Sequence, residues 1–332
     1  MAARGQKSGQ ESGAGAPLDW PGYIDALIAE HGSLAALADR MAALRSYRED
    51  VESVSRALRR LRTKGTVSGG VWGDRLLRDF GLPKGVDERL RFMGQYHSRF
   101  VDLPLPLCTD LVLLWDRPPT SQSREGRLWL SLARATLALR CQSPDEARTH
   151  LETAVEMAPG HPAAEVEVAL ALSVIDSRTN PREAAASVAR VPELLAALSG
   201  AELDCLLARY TGQLAYALNH RGQTEKGLAL HLALPDTATT HPFARSRRAN
   251  GIAYGYYRAG ALAMALESAE RAATFAGDAG HVRLRAMALL MIARIGGNER
   301  VGVEARERAR VIAQMLAEPT LLSRVAAADR DS

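Results

Sequence analysis

Cysteine, lysine and aromatic side chains are all scarce in this sequence. Its three cysteines, Cys108, Cys141 and Cys205, lie far apart with no CxxC pair, which excludes a disulfide framework or a zinc knuckle as the basis of the fold. Aromatic residues make up only 5% of the chain. No apolar run approaches the roughly 18 residues needed to cross a bilayer; residues 107–115 and 286–293 come nearest, and each is too short or interrupted. The nucleotide-binding and hydrolase patterns GxxxxGK[ST], GxGxxG, HExxH and GxSxG are all missing. The eight histidines, His31, His97, His150, His161, His220, His231, His241 and His281, are not spaced with acids or cysteines as metal ligands. Each reads as a surface or capping residue. Asp145-Glu146 opens a helix, where acids suit the helix dipole. No catalytic residue, metal ligand or cofactor is therefore expected.

Ala, Leu and Arg are abundant, the composition of many short, closely packed helices. At 332 residues and 47% hydrophobic, the chain has enough apolar material for two or three domains. The first 17 residues are rich in Gly, Ser and Ala, with no apolar stretch. They read as a disordered tail, not a secretory signal, and a cytoplasmic setting is expected.

The 42 basic and 38 acidic residues leave a formal charge of +4. Its distribution is uneven. Between positions 40 and 64 eight basic residues face three acids, so that stretch carries +5 and the other 307 residues sum to −1. Arginine is the default cation here, since four of the 42 are lysines; position, more than residue type, carries the signal.

Residues 18–85 predict successive helices. Pro21 suits the first turn of a helix that stops at His31-Gly32. Ser33 is a candidate cap for a second, with Leu34, Leu37, Ala38 and Met41 as its apolar stripe. Asp50 caps a third, whose apolar positions Val51, Val54, Ala57, Leu58 and Leu61 leave Ser53, Ser55, Arg56, Arg59, Arg60 and Arg62 on the other side, followed by Lys64 and a terminating Gly65. The run Val54-Ser55-Arg56-Ala57-Leu58-Arg59-Arg60-Leu61 resembles the recognition helices of bacterial helix-turn-helix regulators. The resemblance implies that Ser53, Ser55, Arg56, Arg59, Arg60, Arg62 and Lys64 meet DNA, arginine reading guanine edges and flanking cations the phosphates. The connection across residues 42–49 is longer than the usual turn unless the second helix reaches Leu44, and residues 66–72 could form a short hairpin wing. A further helix closes the unit at Pro83.

Residues 86–124 are richer in aromatics and proline and read as a linker, whose aromatics seat the N-terminal domain or form a dimer contact. From 125 to 325 helical patterns recur, with starts near 127, 163, 204, 244 and 282. Residues 247–278, with Ala253, Gly260 at a turn, and Ala265 and Ala272 beyond it, resemble a tetratricopeptide repeat. Ala135, Ala147 and Ala154 fit similarly; Ala215, Gly222 and Gly227 fit less well. The implied fold is all-α: an N-terminal helix-turn-helix domain followed by a tetratricopeptide-like α-solenoid. In that register Arg209, Tyr216, Asn219, Arg247, Asn250, Tyr254 and Tyr257 line the wall suited to an extended peptide or protein partner, while Tyr256 falls on the packing side. The layout is similar to that of bacterial peptide-sensing regulators. It implies a dimeric, DNA-binding transcription regulator with no membrane or cofactor role. The alternative is a repeat-containing adaptor that binds proteins and no DNA.

Overall fold

The computed structural model describes residues 18–44, 49–64, 68–177 and 181–330. These residues form α-helices and two short 3-10 turns, with no strand among them. They divide into two compact units, one of residues Met1–Val86 with Leu114–Ser123, the other of Asp87–Leu113 with Arg124–Ser332.

In the first unit α1 spans Trp20–His31, α2 Leu34–Ala42, α3 Val51–Lys64 and α4 Gly70–Phe80. The starts are set by side chains that satisfy free backbone N–H groups. Asp19 accepts from the Gly22 amide at 2.8 Å, Ser33 from Ala36 at 3.0 Å and Asp50 from Ser53 at 2.7 Å. Gly32, at φ 90°, lets the chain reverse between α1 and α2. Trp20, Tyr23, Ile24 and Leu27 of α1 meet Leu37 and Met41 of α2, Val54, Leu58 and Leu61 of α3, and Leu76 of α4 in one core. The Trp20 ring lies so close to Gly69 and Gly73 that a Cβ at either would sit 2.2 or 2.6 Å from it. Residues 70–72 form the first turn of α4 and not one arm of a hairpin, while Gly65, Thr66 and Val67 lie outside the described residues.

In the second unit antiparallel helix pairs follow one another. The first helices are α7 (Arg124–Arg140), α9 (Pro162–Asp176), α12 (Gly200–His220), α14 (Pro242–Arg258) and α16 (Val282–Gly296). Their partners are α8 (Pro144–Met157), α13 (Thr224–Leu232), α15 (Leu262–Asp278) and α17 (Arg300–Met315). In the second pair the returning helix is broken into α10 (Pro181–Ser187) and α11 (Val191–Leu195), because Pro181 and Pro192 can only open a helix. First helices start 38, 38, 42 and 40 residues apart.

Two local features recur from pair to pair. Ala135 and Ala147, Ala215 and Gly227, Ala253 and Ala265, and Ala293 and Ala305 are each twelve positions apart, and all are buried where the paired helices approach. The reversal between helices is also repeated. Gly222 donates to Asn219 and Gln223 to Leu218; Gly260 donates to Tyr257 and Ala261 to Tyr256; Gln142 and Ser143 donate to Leu139 and Ala138. The middle residue has positive φ each time, 73° at Gly222, 77° at Gly260 and 64° at Gln142, where a non-glycine accepts the strain.

The remaining elements tie the series together. α18 (Pro319–Arg330) returns to α7: Thr320 Oγ1 donates to the Leu139 and Arg140 carbonyls at 2.9 Å, and Gln142 Nε2 donates to Pro319. The segment Asp87–Leu113 contains most of α5 (Lys84–Gly94), a 3-10 turn at Arg99–Asp102 and most of α6 (Leu105–Trp115). It packs on the first helices of the pairs.

Candidate functional site

The Arg-rich face of α3 follows from helical geometry. With about 3.6 residues per turn, Val54, Leu58 and Leu61 mark the buried side, and Glu52, Arg56, Arg59 and Thr63 fall opposite. Arg60 and Lys64 extend this exposed surface along one flank. Arg59, Arg60 and Lys64 meet no acidic partner among the described residues; Arg56 donates to the Ser53 hydroxyl at 3.3 Å, and its charge acts on Asp50. Arg56 stands three and four positions before Arg59 and Arg60, spacings at which like charges repel by a few tenths of a kcal/mol.

Three of the seven residues expected to meet DNA are otherwise placed. Arg62 is tied to Asp25 of α1 at 2.6 Å. Ser53 sits in the Asp50 cap with its hydroxyl taken by Arg56, and Ser55 is half-buried on the flank of the helix. The Ser53 amide and hydroxyl hold the Asp50 carboxyl below its ordinary pKa. α2 ends at Ala42 and α3 begins at Val51, so the connection is the longer of the two the sequence allows, and residues 45–48 of it lie outside the described set.

The inner face of the helix pairs holds the larger departure from expectation. Residues 95–105 of the chain lie along it. Gln95 donates to Glu202 of α12 at 2.9 Å, the Tyr96 amide to Glu167 of α9 at 3.2 Å, and the Leu105 amide to the Leu316 carbonyl at 2.8 Å. Asp102 accepts from the Arg283 amide at 2.7 Å and stands 3.3 Å from His281 Nδ1. The Tyr96 hydroxyl accepts from Arg283, whose guanidinium also pairs with Glu318 at 2.9 Å. Glu318, fully buried, pairs again with Arg140 at 2.8 Å, and Arg140 donates to the Leu103 carbonyl at 3.0 Å. Tyr96 and Phe100 thus serve the interior of the second unit, where the sequence suggested a domain seat or dimer contact. His281 is buried at the N-cap position of α16, and His231 is buried within α13, neither on the surface nor at a cap.

Arg209, expected on an open wall, is buried, paired with Glu167 and stacked over the Tyr96 ring at 4.6 Å. Burial alone would raise the Tyr96 phenol, but the charges of Arg283, Arg247 and Arg209 outweigh it and hold the phenol below its ordinary value. Burial likewise works against the Glu167 carboxylate, and Arg209 and His97 reverse it. Arg247 stands differently. It has no carboxylate partner among the described residues, its buried Nε lacks an acceptor, and burial lowers its pKa. Its guanidinium reaches past Gly212, where a Cβ would come within 3.1 Å.

The other expected partner residues occupy the C-terminal halves of α12 and α14. Tyr216 is 41% exposed, its ring 4.4 Å from that of His220. Asn219 and Asn250 are half-buried, each with an amide oxygen that accepts nothing. Tyr254 and Tyr257 pack in part on the cluster around Leu289 and Ile292, and Tyr254 accepts from Arg258 at 3.0 Å. Tyr256, which the register placed in the packing layer, is half-buried and lines a cavity.

Arg140, Glu167, Arg283 and Glu318 have no local signature in the sequence, because their partners are far along the chain. Among the described residues no group of His, Cys, Asp and Glu is placed to hold a metal ion, and no helix is long and apolar enough to cross a membrane. Comparisons with protein-family models, with curated proteins and with solved structures find no match to this chain.

Proposed function

We propose that this chain is a DNA-binding transcription regulator, with α3 as its recognition helix and the helix pairs as a tetratricopeptide-like solenoid that senses a peptide or protein. The observation that carries the reading is the exposed row Arg56, Arg59, Arg60 and Lys64, seated on a well-packed core, with no ion pair made by Arg59, Arg60 or Lys64 among the described residues. Mutually repelling cations on one helix face cost stability in the free protein, and a polyanion removes that cost. Arg56 and Arg59, central on that face, are the base-reading candidates; Arg60 and Lys64 suit phosphates. Ser53 and Ser55 are short enough to let the helix approach, and Arg62 serves indirectly by fixing α3 to α1. One such helix reads one half-site, so the active species is a homodimer.

The partner-binding surface is narrower than the sequence implied. With Arg209 engaged by Glu167 and Tyr96, the part of the groove open to a partner runs from Arg247 through Asn250 and Asn219 to Tyr216, Tyr254 and Tyr257. The exposed Tyr216 ring and the half-buried rings of Tyr254 and Tyr257 suit the apolar side chains of an extended peptide. Retention of duplex DNA at low salt, lost in the Arg56→Ala/Arg59→Ala double variant, tests the reading. A chain that retains no duplex is instead the protein-binding adaptor.

A further inference from the structure

A cavity lies within the second unit. It opens between the end of α13 and the facing sides of α14 and α15, with a volume of about 220 Å³. One wall is apolar, formed by Leu232, Ile252 and Met264. Leu232 and Met264 are 46% and 49% exposed, so this wall stands in water with nothing covering it.

The other wall is charged and rigidly held. Three guanidinium groups converge on the single carboxylate of Asp236: Arg245 at 3.0 Å, Arg248 at 2.8 Å and Arg271 at 3.2 Å. Arg248 also donates to the Leu234 carbonyl at 3.0 Å, and Arg245 and Arg271 flank the Phe275 ring at 4.0 and 5.8 Å. One carboxylate leaves this cluster with excess positive charge. Arg248 and Arg271 both line the cavity.

A negative group stands beside them. Glu267 precedes Arg271 by four positions on α15, the spacing that usually closes an ion pair. Here Arg271 turns to Asp236, and the Glu267 carboxylate pairs with nothing among the described residues. The Tyr256 hydroxyl, which also lines the cavity, has no partner either.

We propose that this cavity binds a small apolar α-amino acid as its zwitterion. The α-carboxylate meets Arg271 and Arg248, the α-ammonium meets Glu267 and the Tyr256 hydroxyl, and the side chain lies against Leu232, Ile252 and Met264. The placement of charge selects this class. Arg248 and Arg271 stand beside Glu267 in the lining, so it presents both signs to one molecule, and the excess positive charge of the arginine cluster favours the carboxylate end. The volume agrees, being below the roughly 300–1,000 Å³ of sites for drug-sized ligands. The site is independent of the DNA-binding reading and stands or falls without it.

Calorimetric titration of the full chain with L-leucine and with L-methionine tests the proposal. Two analogues of leucine each lack one charge: 4-methylpentanoate has no ammonium, and 3-methylbutylamine has no carboxylate. We expect saturable one-site binding of an amino acid, with both analogues about tenfold weaker or worse. Glu267→Gln and Arg271→Gln should each weaken binding by a similar factor, and Glu267→Gln should leave the urea unfolding midpoint in place, since that side chain is exposed and makes no ion pair among the described residues. The proposal is overturned if neither amino acid saturates, if 4-methylpentanoate binds as tightly as leucine, or if both variants keep the wild-type affinity.

Discussion

Lowering the pH should destabilise the second unit through one histidine. His231 is buried, its ring lies against Gly251 so closely that a Cβ there would come within 2.3 Å, and its Nδ1 has no partner. Burial, reinforced by the charges of Arg247 and Arg248, lowers its pKa from 6.5 to about 4. In the unfolded chain the ring takes up a proton near pH 6.5; in the folded chain it does not until about pH 4. The unfolded state therefore binds more protons across that window, and stability falls as pH falls through it. The loss is about 1 kcal/mol at pH 5.5 and about 3 kcal/mol near pH 4. Urea unfolding of wild type and His231→Gln between pH 7.5 and 4.5 measures it. Other groups titrate in this range, including His241, which burial also lowers, so the informative quantity is the difference between the two proteins. Wild type should lose about 1 kcal/mol more than the variant between pH 7.5 and 5.5. Equal pH slopes would refute the reasoning.

Two further perturbations probe the packing. Glu318→Gln leaves Arg140 and Arg283 without their shared buried carboxylate and should cost about 3–5 kcal/mol of stability, read by urea unfolding; a loss under 1 kcal/mol would show that the pair is solvated. Gly73→Ala drives a methyl into the Trp20 ring and should cost about 1–3 kcal/mol in the first unit, with a change in near-ultraviolet circular dichroism, whereas Gly85→Ala, with nothing within 4 Å, should not.

The elements whose rules are local were legible in the sequence. Ser33 and Asp50 cap the second and third helices through bonds three residues long, and Gly32 and Gly260 turn the chain where their freedom is needed. The alanines of the helix pairs were legible because they recur at fixed spacing. Residues 86–124 were not. Asp102 meets Arg283 across 181 positions and Tyr96 meets Arg283 across 187, and no period or motif in one sequence marks such a pair. The same distance hid the fate of Arg209. The repeat register assigned it to an open wall, but the side chains that cover it come from a segment with no repeat of its own. The break of the second returning helix carried a signal in Pro181 and Pro192, which the repeat length alone obscured.

The central claim is that the exposed face of α3 binds duplex DNA. Electrophoretic mobility shift with genomic fragments, run from low to rising salt, tests it most directly. The account predicts retention at low salt and a log–log salt slope of about −3 to −4, from the phosphate contacts of Arg60 and Lys64 in each protomer of the dimer. Arg56→Ala/Arg59→Ala should lose retention with its unfolding midpoint unchanged, since neither side chain is in the core. A wild-type chain that shifts no fragment at low salt, or a double variant that shifts them equally well, would contradict it.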